Sequence, residues 1–422
     1  MGITTRKPPS NIWLILFLLA GLFLWHRTSF PLWMLDVFPN QWGASCLHSG
    51  RTADLYTPLD ECKAWAARVD GEARRLGLDC DLAPYMYPPF VAATLTPLAG
   101  QPGIAWRNAQ FALNFLLLFV IAGIIAKLCS SHLTWRGFLW ALVLVLVSYQ
   151  MSRATKLGQL VPFLAALAWI GLLLVRSGRD LPGGLLIGVV SAVKIFPAVL
   201  MALLFLDRRY KAAWAAMGAV LVAYASSLLL LGIPIHEQWW QPMHDFAGKV
   251  VPFFGNQSLL GWLARAGLGY SVFDEMPIGT PWLSAAQWTL TLVFAALVLR
   301  FLWPLRGSLV RDHLPLSVGL GMGALLLVIP VSWEHYGLFV LPAAGWAVYR
   351  AWTDRDAKFW EFWLAAAVFF FTMKLTHFYY GDSILSRLVS GSQALGLLML
   401  CVCFVRRISS RQLAALSPGG NL

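Results

Sequence analysis

The feature that most constrains this chain is a series of apolar runs, each roughly 20 residues long, separated by short basic connections. A run of that length crosses the ~30 Å hydrocarbon core of a bilayer as a helix. Inside lipid every backbone N–H and C=O must find a partner within the protein, so the runs are expected to be helices and not isolated strands. Composition agrees: 59% of the 422 residues are apolar and 12% are charged, against about 25% charged in a soluble domain. Too little polarity remains to coat a globule in water.

Spans are expected at 11–34, 106–127, 137–150, 158–175, 212–233, 282–303, 314–331, 336–349, 358–374 and 389–405. The stretch 183–206 reads as a short helical pair broken near Lys194 and Pro197. Together these make roughly twelve transmembrane elements in one all-α integral membrane domain over 1–422. Segment 89–100, which opens with Pro88-Pro89 and closes with Gly100-Gln101-Pro102-Gly103, is short for a span and is taken as re-entrant or interfacial; the alternative, a full span, puts Arg176 and Arg179 outside. The first run follows Arg6 and Lys7 but leads into His26-Arg27-Thr28, not a small-residue cleavage site, so it is read as a retained span.

The net charge of +12 points to topology and not to nucleic acid, because the cations sit singly or in pairs between apolar runs. With a cytoplasmic N-terminus, the inner loops carry Lys127, Arg136, Arg176, Arg179, Arg208, Arg209, Lys211, Arg306, Arg311, Arg350, Arg355 and Lys358, and Arg406, Arg407 and Arg411 follow in a cytoplasmic tail. Short outer connections carry only Arg153, Lys156 and Arg387, the asymmetry of the positive-inside rule. Segments 35–88 and 234–281 then form long outer loops. In the first, 58–76 suits a helix lying on the membrane surface. In the second, Trp239, Trp240 and Trp262 favour the interface. Cys46, Cys62 and Cys80 share the first loop, where an oxidising compartment permits one disulfide, and the sequence does not choose the pair.

Polar groups in or beside spans are costly and are therefore functional candidates. Asp36 follows span one at the water boundary, where a carboxylate serves as a general base. Tyr85 and Tyr87 lead into a rigid Pro88-Pro89 turn and offer ring faces to a sugar. Arg153, Lys156 and Gln159 stand at the outer start of a span and suit an anionic group. Lys194 lies within an apolar run where its charge needs a partner such as a phosphate. Ser332-Trp333-Glu334-His335-Tyr336 place an indole, a carboxylate and an imidazole between two spans. The scattered histidines show no metal-ligand spacing, and no phosphate loop or dinucleotide fingerprint appears, so neither a metal nor a soluble cofactor is expected.

In order along the chain, Asp36, Leu55-Tyr56, Tyr87-Pro88-Pro89, Gly158-Gln159, Lys194-x-x-Pro197 with Arg208-Arg209, Asn256-Gln257-Ser258 and Ser332-Trp333-Glu334-His335 resemble glycosyltransferase family 87, of the multi-spanning GT-C type. The resemblance covers about 30 to 345, and departs at Tyr336, where relatives often carry a second His. It implies a metal-independent, inverting mannosyltransferase using a polyprenyl-phosphate sugar and a cell-envelope glycan or glycolipid acceptor, at the outer face of a bacterial inner membrane. It further implies Asp36 and His335 as catalytic groups, Lys194, Arg153 and Lys156 on the donor phosphate, and Tyr85, Tyr87, Gln159, Asn256, Gln257, Ser258, Trp333 and Glu334 on substrate. A secondary transporter or lipid-linked sugar flippase is the alternative from another class, but the two halves lack matching interrupted helices. An envelope-glycan ligase or polymerase would be marked by a long outer loop rich in Arg and His, whereas 234–281 has only His236, His244, Lys249 and Arg265.

Overall fold

A computed structural model describes residues 11–57 apart from 31 and 33, then 62–75, 84–130, 134–273, 276–353, 358–372 and 383–416. The cysteine at Cys80 and the inner-loop cation Arg355 lie outside the described residues. Among those described, regular structure is helical, and the only strand-like pairings are two isolated bridges, Val250 with Ile278 and Asn256 with Trp333.

The chain enters through α1 (Asn11–Ser29), then folds the first long loop over one end of the bundle as α2 (Val37–His48), α3 (Cys62–Arg75) and α4 (Pro89–Leu95). The seven residues of α4 span about 10 Å at 1.5 Å per residue, which keeps it at that end. A long span, α5 (Gly103–Cys129), leads to the bent pair α6 (Trp135–Val147) and α7 (Tyr149–Leu157), and then α8 (Val161–Arg176) runs back. The span expected over 137–150 is α6, and the outer connection expected after it is helical as well, turned by 61° from α6. Ser148 causes the break: its backbone is extended and its hydroxyl donates to the Val145 carbonyl at 2.7 Å, a local bond that competes with the helix ladder.

Next come α9 (Asp180–Val193), α10 (Val199–Leu206) and the span α11 (Tyr210–Leu231). Pro197 has no N–H with which to continue α9, so the chain stops at Lys194 and turns into α10. The loop beyond α11 holds α12 (Ile233–Phe246) and α13 (Leu259–Leu268), and the remainder is α14 (Pro281–Leu302), α15 (Leu314–Val328), α16 (Leu341–Thr353), α17 (Lys358–Thr372), α18 (Ile384–Val389) and α19 (Ser392–Leu416). The span expected at 336–349 opens as a 3-10 turn through Phe339 before α16 begins.

By length and apolarity five described helices cross a membrane unaided, or six with the α6–α7 pair; others such as α8, α9, α10 and α15 are shorter. Of these, α8 and α15 are largely buried in the protein, where non-spanning helices are tolerated, while α9 keeps Leu181, Leu185 and Val189 exposed along one face. The main core joins α5, α8, α15, α16 and α19 through Ile121, Trp169, Leu316, Ala343 and Phe404. A second core of Phe38, Trp42, Tyr56, Tyr85 and Trp239 lies under the α2–α4 cover. By contrast Leu221, Val222, Leu229 and Leu230 of α11 and Leu292 of α14 are exposed, as lipid-facing positions are.

Candidate active site

Asp36 is delivered by backbone pairing with the end of α7. The Met34 N–H donates to the Lys156 carbonyl at 2.8 Å and the Asp36 N–H to that of Leu157 at 2.9 Å. Gly158 makes this possible. It caps α7 in the left-handed conformation at φ +71°, and a Cβ there would stand 2.4 Å from Val37 Cγ2 and 2.8 Å from Met34 Sδ. Both demands favour glycine. Next to it, Gln159 is buried; its carbonyl accepts from Gln110 Nε2 at 3.0 Å and Asn114 Nδ2 at 3.3 Å, and its side chain lies near enough to Asp36 to favour the charged carboxylate.

Lys194 stands at the tip between α9 and α10, at the C-terminal end of α9 where the helix dipole favours a cation. Its Nζ lies 3.4 Å from Tyr336 Oη, 4.5 Å from the Tyr336 ring centre and 5.4 Å from that of Tyr87. Both Lys194 and Arg153 act electrostatically on Asp36. Burial is the larger influence on that carboxyl and pushes its pKa up to about 6; Lys194, the Gln159 side chain and Arg153 pull the other way. The group is still half-buried.

Arg153 is held in turn. Its Nε stands 3.1 Å from Glu334 Oε2, which also accepts from Tyr149 Oη at 3.1 Å. Tyr149 and Arg153 are four residues apart on α7 and so share a face. Glu334 and His335 are buried on the 3-10 turn that follows α15, and His335 Nε2 has no hydrogen-bond partner among the described residues. Five separate stretches thus meet at one end of the bundle: Asp36, Tyr87, Arg153 with Gln159, Lys194, and Glu334 to Tyr336.

Other residues singled out in the sequence lie around this cluster. Lys156 is half-buried one helical turn from Arg153. Tyr85 is buried, its hydroxyl donating to the Pro88 carbonyl at 3.3 Å and its ring against Gly43. Tyr56 donates to the Tyr87 carbonyl at 2.7 Å, which is how the Leu55-Tyr56 pair serves the Tyr87 turn. Asn256 has every polar position engaged by backbone: its Oδ1 accepts from Ser332 and Ser258, and its Nδ2 donates to Val251 and Pro330. The Gln257 side chain joins Phe254, Ser390 and Ala394, and Ser258 caps α13. These three residues therefore knit the loop after α12 to the 330–334 segment, on which Trp333 remains half-buried against Phe253.

Sequence reasoning passed over Tyr149, whose signal was its helical spacing from Arg153, and set Tyr336 behind His335 although Tyr336 is the residue in contact with Lys194. Among the described residues no group of three His, Cys, Asp or Glu stands close enough to hold a metal ion.

The family model for glycosyltransferase family 87 matches residues 85–330, more than half of the chain. This chain belongs to that family. As a family 87 glycosyltransferase it is similar to the polyprenol-phosphate-mannose-dependent alpha-(1-2)-phosphatidylinositol mannoside mannosyltransferase of Mycobacterium tuberculosis, 26% identical over 85% of this chain and 81% of that protein. The enzyme of the same description from Mycolicibacterium smegmatis is 27% identical over 67% of this chain and 65% of its own length. A phosphatidylinositol pentamannoside mannosyltransferase of Mycobacterium tuberculosis is 26% identical over 63% of this chain and 58% of its own length. No solved structure matches significantly.

Proposed function

We propose that this family 87 member moves a mannosyl group, with inversion, from polyprenyl-phosphate mannose to a glycan or glycolipid at the outer face of a bacterial plasma membrane. The observation that carries this reading is a half-buried carboxylate, Asp36, near enough to Lys194 and Arg153 for both cations to favour its charged form against the effect of burial. Asp36 takes the proton as an acceptor hydroxyl attacks the anomeric carbon. The bond from that carbon to the phosphate oxygen breaks, and the polyprenyl phosphate leaves with one more negative charge. Fixed cations at the place where charge develops are the largest contribution such a site makes, and Lys194 and Arg153 hold that place. Buried His335, whose Nε2 has no partner among the described residues, supplies a further hydrogen-bonding group to the site. Asn256, Gln257 and Ser258 act through the 330–334 segment, while Tyr87 and Trp333 face the sugars.

Mannose as the sugar and a phosphatidylinositol mannoside as the trial acceptor come from the named relatives. Purified protein in liposomes, given polyprenyl-phosphate mannose and a phosphatidylinositol mannoside, is expected to release polyprenyl phosphate and a larger glycolipid together. Movement of the donor lipid across the bilayer with no covalent product would overturn the reading in favour of a flippase. Sidedness has its own check. Cysteines placed at the exposed Ala53 and Ser177 should differ in intact cells, with only Ala53→Cys reacting with an impermeant thiol reagent. Labelling at position 177 would refute the outer-face site.

A further inference from the structure

At the end of the bundle opposite the active site lies a buried carboxylate that the chemistry does not use. Asp207 closes α10, and its side chain is fully enclosed. Oδ1 accepts from the Leu309 N–H at 2.6 Å and Oδ2 from the Val310 N–H at 3.2 Å, both in the connection between α14 and α15. Arg209 stands beside it, with Nε 3.6 Å from Asp207 Oδ2 and NH1 3.8 Å from Asp180 Oδ1 at the foot of α9. Arg208, in the left-handed region at φ +60°, makes the sharp turn that brings Arg209 back over α10. One charged knot therefore holds the feet of α9, α10 and α11 against the foot of α15.

Two rods of nearly equal length rise from this knot. The 14 residues of α9 and the 15 of α15 come to about 21 Å and 22 Å at 1.5 Å per residue. The first ends at Lys194; the second ends just before Trp333 to Tyr336. Their far ends meet where Lys194 Nζ touches Tyr336 Oη at 3.4 Å. Close packing makes α9 a stiff rod. A Cβ on Gly184 or Gly188 would stand 2.2 Å or 2.3 Å from the Ala212 and Ala216 carbonyl oxygens of α11, and one on Gly183 would stand 2.5 Å from that of Gly171 on α8.

We infer that Asp207 is a positioning residue for the transfer reaction, setting the level at which Lys194 meets the 333–336 turn from the far side of the bundle. This rests on the reading of Lys194 as the donor-phosphate contact. The two acceptor oxygens of the carboxylate matter as a pair. In Asp207→Asn one oxygen still accepts from a backbone N–H, but the new NH2 group faces a second N–H and the ion pair with Arg209 is gone.

The test is a double-mutant cycle on the full-length protein, read as KM for polyprenyl-phosphate mannose and separately for a phosphatidylinositol mannoside. Asp207→Asn is expected to raise donor KM about tenfold with acceptor KM unchanged. In a Lys194→Met background the same change should alter donor KM by less than about twofold, because a residue acting through Lys194 has nothing left to act through. Arg209→Gln keeps both backbone bonds of Asp207 and gives the same pattern at about threefold, which keeps the idea testable if Asp207→Asn does not fold. Equal effects in both backgrounds, or an unchanged donor KM in both single variants, would overturn the positioning role while leaving Lys194 in place. A Lys194→Met enzyme with wild-type donor KM would overturn the phosphate assignment itself.

Discussion

Asp36→Asn should yield an enzyme that is more stable and nearly inactive. Burial raises the Asp36 pKa from 3.8 to about 6 even against two nearby cations. The folded state therefore resists the charge that catalysis needs. Two pKa units are worth about 3 kcal/mol, and solvent at the half-buried carboxylate screens this to about 1–2 kcal/mol. The sign follows from the raised value. Below the unfolded pKa the group is protonated in both states and costs nothing, and the penalty is fully present once pH exceeds the folded value. Asparagine keeps the shape and carries no charge, so at pH 7 the variant should unfold about 1–2 kcal/mol later, and near pH 4 the two proteins should converge. Transfer should fall by about 10² or more, because asparagine accepts no proton. The assays are thermal unfolding of purified protein in detergent at both pH values, and glycolipid formation from polyprenyl-phosphate mannose. A variant that is less stable by the same amount at both pH values would refute the burial argument. Transfer close to wild type would refute Asp36 as the base and move attention to Glu334, despite its engagement with Arg153 and Tyr149.

The wild-type rate should rise with pH along a limb centred near 6, set by Asp36. Lys194→Met removes a cation that favours the carboxylate, so that limb should move to higher pH while donor KM rises about 10-fold or more; a limb that stays in place would separate Lys194 from Asp36. Gly158→Ala forces a Cβ into Val37 and Met34 and should cut turnover at least tenfold while costing roughly 1–3 kcal/mol of stability; an unaffected rate would show that Asp36 does not depend on this contact. Asn256→Ala strands two backbone N–H groups and two carbonyls and should destabilise the fold by about 2–3 kcal/mol, read by denaturation, with wild-type stability refuting its role as a clamp.

Much of the membrane architecture was legible because lipid imposes a simple rule on sequence: an apolar run must be a helix. The broken pair around Lys194 was legible for the same reason, since a lysine and a proline three residues apart cannot continue such a run unremarked. What the sequence hid were partners far apart along the chain. Gly158-Gln159 could be noticed as a motif, but its purpose is to let the segment at Met34 and Val37 pass close by, and nothing local says so. Asn256 reads the same whether its amide faces a sugar or a backbone, and only the fold reveals that Ser332 and Pro330 engage it. The bend at Ser148 was hidden because the polar stretch Tyr149–Leu157 reads as a connection between spans, although it folds as a helix of its own. The bonds of Asp207 to Leu309 and Val310 join stretches far apart in the chain and leave no local mark.

The paired limbs α9 and α10 also bear on how the chain is threaded during synthesis. The excursion through the two limbs begins and ends at the Asp180–Arg209 level, so together they leave the orientation of everything downstream unaltered. Removing 180–207 as one piece should therefore preserve the side on which the loop after α11 emerges, even though the enzyme is dead. Removing a single limb changes the parity, and either the remaining limb lies along the surface or every later segment must be inserted upside down. An insertion machine reading basic flanks would meet Arg176 and Arg179 before the excursion and Arg208, Arg209 and Lys211 after it. The two clusters give the same instruction twice, once on each side of a loop of protein that returns to where it began.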